Sequence, residues 1–245
     1  MYRTLACRSA GVAAFVAAVV ARAESWDFTA QFSTENGNPN GAWSYGWMEV
    51  GFGELNLFMS HGISQGNPIW IGWGGDWTPC IWQNVSDGWP YGVPPGDVSL
   101  HPGSGTQPSV ARWTAPTNAS GAYAIDGVFL DGDIGYVLVT VHHNGVPIWD
   151  RENAGEFHLV ETIAPGDTLD FAVYGGYGFG NTPLRAVIEP LACVADLDGS
   201  GAVDASDLGI LLGGWGTAGT DADLDGSGIV DAADLGVLLG AWGPC

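Results

Sequence analysis

The stretch YVLVTVHHNGVPIWD, from Tyr136 to Asp150, decides how the rest of the sequence is read. Two strand-like runs flank Asn144-Gly145, a dipeptide that accepts the positive φ angles of a two-residue hairpin turn. The pair predicts antiparallel strands on either side. In such a strand His142 and His143 face opposite ways and cannot chelate one metal ion together.

Working outward, Glu24 to about Pro190 reads as a series of short strands. WDFTAQFS, AWSYGWMEV, LNLFMS, PIWIGW and SVARWTAP precede the hairpin region, and FHLVETI, LDFAVYG and LRAVIEP follow it. Gly, Pro, Asn and Asp fill the connections, and long helical periodicity is absent. That pattern predicts a mostly β sandwich or barrel. Trp43, Tyr45 and Trp47 alternate along one strand and share a face. They supply the large apolar area a core needs, so the triad is read as core rather than as a sugar platform.

The order G-x-Y-x-I-D-G-x-F from Gly121, V-x-V-x-x-N-G-x-x-I-W-D from Val139 and A-P-G-D-T-L-D-F from Ala164 resembles a jelly-roll β-sandwich of the carbohydrate-binding-module kind. The resemblance implies the fold, with polysaccharide as the ligand to look for. Between Ile69 and Val93, Trp70 and Trp82 fall on strands and are read as core. Trp77, Trp89 and Tyr91 fall in turn-rich sequence beside Asp76 and Asp87, the combination that suits a sugar ring: aromatic faces stack on C–H faces while carboxylates accept from hydroxyls. These five are the candidate ligand-binding residues.

No catalytic residue is nominated. Glu49 with Glu54, or Asp76 with Asp87, would be the carboxylate pairs of a glycosidase, but their spacing singles out neither. Zinc-ligand spacing is absent. The expectation leans away from an enzyme. The alternatives are a small glycoside hydrolase or lyase acting on O-glycosyl bonds of polysaccharides, and a structural cell-surface or matrix protein.

A repeat closes the sequence: ADLDGSGAVDASDLGILLGGWG from Ala195, then ADLDGSGIVDAADLGVLLGAWG from Ala222. Each copy opens with the oxygen pattern of an EF-hand calcium loop, with ligands at positions one, three, five, seven, nine and twelve and glycine at six. The first set is Asp196, Asp198, Ser200, the Ala202 carbonyl, Asp204 and Asp207. The second is Asp223, Asp225, Ser227, the Ile229 carbonyl, Asp231 and Asp234. So many like charges at close range call for a cation, and hard oxygen ligands in this number favour calcium, giving two ions. Leu208, Leu211, Leu212 and Trp215, then Leu235, Leu238, Leu239 and Trp242, follow at helical spacing. The two stripes are expected to pack together and bury one another.

The tandem resembles a type I dockerin module, here in an acidic form closed by W-G-x-C as in exported planctomycete-type bacterial proteins. The resemblance implies attachment to a cohesin-like or other cell-surface protein. The family's hydroxyl pairs before loop position twelve are replaced by Ala205-Ser206 and Ala232-Ala233. Its later basic positions hold Leu212-Gly213 and Leu239-Gly240. The calcium chemistry carries over better than the partner.

The composition sets limits. Formal net charge is −21, with 27 acidic and 6 basic residues. Three of the basic residues fall in the first stretch, leaving Arg112, Arg151 and Arg185. Without a basic footprint the chain is not expected to bind nucleic acid or anionic membranes. Residues 1–23 read as a signal peptide: a basic start, an apolar run and the A-x-A site Ala21-Arg22-Ala23. The mature protein is therefore expected to be secreted or at the cell surface, extracellular or periplasmic, with no membrane span. The expected organisation is a signal peptide over 1–23, the sandwich over 24–190 and the dockerin-like domain over 191–245. Cys193 and Cys245 bracket the last segment and are expected to form a disulfide, with Cys80 to Cys193 as the alternative.

Overall fold

The computed structural model describes residues 24–72, 77–133, 135–191 and 193–245. The expected signal peptide and Asp76 lie outside the described residues.

The sandwich opens with β1 (Trp26–Asp27), the four-residue helix α1 (Phe28–Gln31), β2 (Trp43–Trp47) and β3 (Asn56–Leu57). Next come β4 (Ser60–Ser64), β5 (Asn67–Ile71), β6 (Cys80–Gln83), β7 (Val98–His101) and β8 (Ser109–Thr114). The chain then forms β9 (Gly121–Phe129), β10 (Leu138–His143), β11 (Val146–Glu152), β12 (Gly155–Ile163), β13 (Thr168–Tyr174) and β14 (Thr182–Pro190). One sheet runs β12-β9-β14-β7-β6-β5-β4, with β1 added on β14. The other runs β11-β10-β13-β8-β2-β3. Neighbours pair antiparallel throughout both sheets. The protein is mostly β, as the strand pattern predicts.

The β10–β11 hairpin turns at Asn144 and Gly145, with φ of 50° and 78°, as the dipeptide requires. The expected strand WDFTAQFS instead breaks after two residues. Asp27 Oδ1 accepts from the Ala30 amide at 2.9 Å, and this cap converts the rest into a helical turn.

Aromatic rings fill the space between the sheets. Trp43 and Tyr45 are fully buried and Trp47 packs partly buried against them, so the alternating triad is core. Trp43 meets Phe28 at 5.1 Å and Phe171 at 6.0 Å between ring centroids, and Trp26 meets Trp113 edge-on at 5.2 Å. Asn38 holds β2 in place. It accepts from the Tyr45 amide at 2.9 Å and donates to the Tyr45 and Phe58 carbonyls at 2.6 and 3.0 Å.

The outer face of the second sheet is covered as well. Met48, Val110 and Ala172 form a buried cluster under Phe52 and Leu55. Beside it Ser44, Arg112, Asp170 and His142 stand in one register row across β2, β8, β13 and β10. Arg112 grips Asp170 with two bonds of 2.6 and 2.8 Å, and the Asp170 side chain is 1% exposed. His143, one residue on, binds Glu161 instead at 2.9 Å. The two histidines therefore do point apart.

The C-terminal segment contains β15 (Ala202–Val203), the nine-residue helices α2 (Ala205–Gly213) and α3 (Ala232–Gly240), and β16 (Gly243–Pro244), which pairs with β15. It has its own small core of Ala195, Val203, Leu211, Ala222, Val230 and Leu238. Cys193 and Cys245 form a disulfide across it, which excludes the Cys80–Cys193 alternative. The two helical stripes bury only in part. Leu211 and Leu238 are enclosed, but Leu212, Trp215, Leu239 and Trp242 remain exposed. Each short helix can turn one or two residues inward, and the opposing helix is too small to cover the rest. No helix among the described residues is long and apolar enough to cross a membrane.

Candidate functional site

Three neighbouring strands of the first sheet build a floor. Strand alternation sends Trp70, Ile81 and Leu100 into the main core and turns the intervening residues to the other side. There Ile69 pairs across with Trp82, and Cys80 with His101. Ile69, Cys80, Trp82 and Val93 form a separate apolar cluster on this outer side. Trp82 is 6% exposed yet lines a cavity of about 230 Å³. Its assignment to the core is right about burial, but the face is the one opposite the sandwich interior.

Loops raise walls around this floor. Tyr91 stands perpendicular to Trp82, at 86° and 6.1 Å, and Tyr177 stands at 81° and 5.6 Å to His101. Trp77 and Thr78, from the β5–β6 connection, complete one side. Gln65 Nε2 donates to the Tyr91 hydroxyl at 2.8 Å and so ties the β4–β5 turn to the next wall. Trp82 Nε1 donates to Asn181 Oδ1 at 2.8 Å, and Asn181 Nδ2 donates to Asp133 Oδ2 at 2.7 Å. His101 Nδ1 lies 2.8 Å from the Pro102 carbonyl, an acceptor, so this nitrogen carries the proton.

The cup is held in an unusual backbone. Gln65, Trp77 and Tyr91 all have positive φ, at 50°, 70° and 53°. Non-glycine residues pay for that conformation, and it persists where the surroundings over-determine it, often at binding sites. Buried Asn84 shapes the loop that carries Tyr91, donating to the Gly88 and Val93 carbonyls at 2.8 Å each. Gly92 lets this loop touch the next. Its φ is 72°, and an added Cβ would meet the Gly132 carbonyl oxygen at 2.0 Å.

Of the five ligand-binding candidates, Trp77 and Tyr91 line the cavity, 42% and 50% exposed. Trp89 is 67% exposed and lies with Asp87 on the same loop, outside the lining. Asp76 lies outside the described residues. The sequence reading missed His101, Tyr177, Asn181 and Gln65 as site residues. Alternation along VSLH could have placed His101 beside Cys80, but only the sheet order brings Tyr177 and Asn181 from the β13–β14 connection. No Asp, Glu, Lys or Arg lines the cavity among the described residues.

The second arrangement is the pair of acidic loops. Asp196, Asp198 and Asp207 present carboxylate oxygens within 4.8 Å of one another, and so do Asp223, Asp225 and Asp234. These groups can hold a metal ion. Asp207 is fully buried. The Asp204 amide chiefly, with those of Asp198 and Leu197, holds its carboxyl below the ordinary range although burial pushes it up. Asp234 is held low in the same way, first by the Asp231 amide and then by that of Asp225. Asp204 and Asp231 do not join these clusters; they cap the helices, accepting from the Ser206 and Ala233 amides at 2.7 and 2.8 Å. Ser200 and Ser227 hydroxyls reach the Ala202 and Ile229 carbonyls at 3.1 and 3.2 Å, so these expected ligands stand side by side. Asp223 Oδ1 is buried with no hydrogen-bond partner in the protein, an arrangement that suits a cation ligand.

The fold and sites define an antiparallel β-sandwich with an aromatic cup, which no charged residue lines among the described residues, and a small, acidic, disulfide-closed C-terminal segment. No family model and no curated protein matches the chain. Solved structures similar to it include a family 35 carbohydrate binding module from Clostridium thermocellum, at 12% identity over 54% of this chain and 98% of that one, TM-score 0.31. The carbohydrate-binding module CBM36 in complex with calcium and xylotriose is 14% identical over 38% of this chain and 77% of that one, TM-score 0.24. Pika GITRL is 17% identical over 34% of this chain and 77% of that one, also at TM-score 0.24. At such low overlap the functional reading rests on this chain's own residues.

Proposed function

We propose that the protein is a secreted binding and tethering protein, with a jelly-roll sandwich that holds a polysaccharide in the aromatic cup. The observation that carries this reading is the cup itself. Aromatic floor and walls offer stacking faces, and the hydroxyls and amides of Tyr91, Gln65 and Asn181 are already fixed by one another and by Trp82. Preorganised aromatic and neutral hydrogen-bonding groups are what sugar rings require, because little is lost in ordering them on binding.

The C-terminal segment acts as a dockerin-like attachment module. Each acidic loop takes one calcium ion through the three converging carboxylates with the Ser200 and Ala202, or Ser227 and Ile229, oxygens. The ion supplies the charge neutralisation that the loop lacks, and the exposed Leu212, Trp215, Leu239 and Trp242 face a cohesin-like or other cell-surface protein.

Retention of the full chain on a panel of insoluble and soluble polysaccharides tests the binding role. The protein should be retarded by at least one polymer, and Trp77→Ala with Tyr91→Ala should abolish the retardation while the melting temperature holds. Absence of retardation across the panel would refute the reading.

A further inference from the structure

We propose that the cup takes a single uncharged sugar ring at the end of a glycan chain, and that it discriminates against uronic acids and against the chain interior. The proposal rests on the reading of the sandwich as a polysaccharide binder and specifies the class of sugar that it holds.

Size is the first argument. The cavity of about 230 Å³ falls below the roughly 300–1,000 Å³ of pockets that enclose drug-sized ligands. It has room for one ring. Shape is the second argument. Both floor rings, Trp82 and His101, carry a perpendicular wall ring, Tyr91 and Tyr177. A flat platform for several successive residues needs coplanar exposed rings; here the rings meet at corners. The walls are also fastened, by the Gln65–Tyr91 bond and by the Trp82–Asn181–Asp133 chain, so they resist spreading to let a polymer pass.

Charge is the third argument. Among the described residues the lining contains no arginine or lysine to pair with a uronate carboxylate, and the side chain behind Asn181 is another carboxylate, Asp133. A chain of net charge −21 adds a repulsive field for anionic ligands. Burying an unpaired carboxylate among these groups would be costly. Hydroxyls of a neutral ring can exchange hydrogen bonds with the uncharged Gln65, Tyr91 and Asn181 side chains of the lining.

The test uses the full chain against neutral glucan, mannan, galactan and xylan, with polygalacturonate as the acidic probe. On a neutral polymer that retains the protein, endo-cleavage of the chains should raise the amount bound per unit mass several-fold, following the number of ends. The corresponding free monosaccharide should displace it. Trp82→Ala risks the fold, so Gln65→Ala and Tyr177→Ala serve as the variants. Each should weaken binding about tenfold or more, the loss expected for an anchoring contact. Retention that falls on cleavage and ignores the monosaccharide would overturn end recognition while leaving polysaccharide binding in place. Retention by polygalacturonate alone would overturn the neutral-ring assignment. Retention by none of the polymers would overturn the proposal together with the reading beneath it.

Discussion

Removing calcium should unfold the C-terminal segment while leaving the sandwich standing. Its enclosed core consists of Ala195, Ala222, Val203, Val230, Leu211 and Leu238. Full burial of a Val or Leu contributes only about 1.5–3 kcal/mol, whereas each ordered residue costs roughly 1–2 kcal/mol of backbone entropy. A segment of this size needs staples. One is the Cys193–Cys245 disulfide, closing a separation of 52 residues, worth about 4 kcal/mol by the chain-entropy argument. The two calcium ions proposed for the acidic loops would be the other. At a hundred times the dissociation constant each bound ion adds about 2.7 kcal/mol, so two ions add about 5 kcal/mol. For a domain of this size each kcal/mol moves the midpoint by roughly 4–8 °C, and chelation should lower it by about 20 °C or more. Far-ultraviolet circular dichroism of the full chain, melted in calcium and in chelator, reads the effect. The helix signal of α2 and α3 should be lost in chelator, ahead of an unchanged sandwich transition. Coincident melting curves in the two buffers would refute the coupling of metal and fold.

Three further outcomes follow from the sandwich. Arg112→Ala leaves the 1%-exposed Asp170 carboxylate without its bidentate partner and should cost about 3–5 kcal/mol in chemical denaturation, as for a broken buried ion pair. Burial lowers the His142 pKa from 6.5, although Asp170 and the Gly145 backbone oppose the shift. The unfolded chain therefore takes up this proton first, so the stability from neutral His142 is present above 6.5 and is lost as the pH falls toward the folded value; in pH-dependent denaturation His142→Gln should flatten that part of the profile. Gly92→Ala drives a Cβ onto the Gly132 carbonyl at a backbone position of φ 72°. It should cost about 1–3 kcal/mol in denaturation and weaken sugar binding by displacing Tyr91.

Local features were the readable ones. Asn144-Gly145 announces its turn because few other dipeptides accept two successive positive φ angles. The convergence of Asp196, Asp198 and Asp207, and of Asp223, Asp225 and Asp234, is readable because the acidic residues recur at fixed offsets, and the clasp because Cys193 and Cys245 bracket them. Alternation and bulk mark Trp43 and Tyr45 as core, and both are buried. Trp82 shows where this logic stops. Alternation says which residues share a face, not which face the sheet turns inward, and here both faces carry buried apolar clusters. The cup was half legible for the same reason. Trp77 and Tyr91 lie in one aromatic loop region, but His101, Tyr177 and Asn181 arrive only through the pairing of β7 with β6 and β14. The short helix at Phe28 escaped notice because one side-chain cap, Asp27, overrode a strand-like composition.

Hydrogen exchange of the full chain with and without a saturating neutral oligosaccharide locates the bound sugar. Exchange should slow together in residues 64–67, 77–82, 90–92 and 177–181, the segments that form the floor and walls of the cup. Binding that leaves all four segments unchanged would contradict binding in the cup.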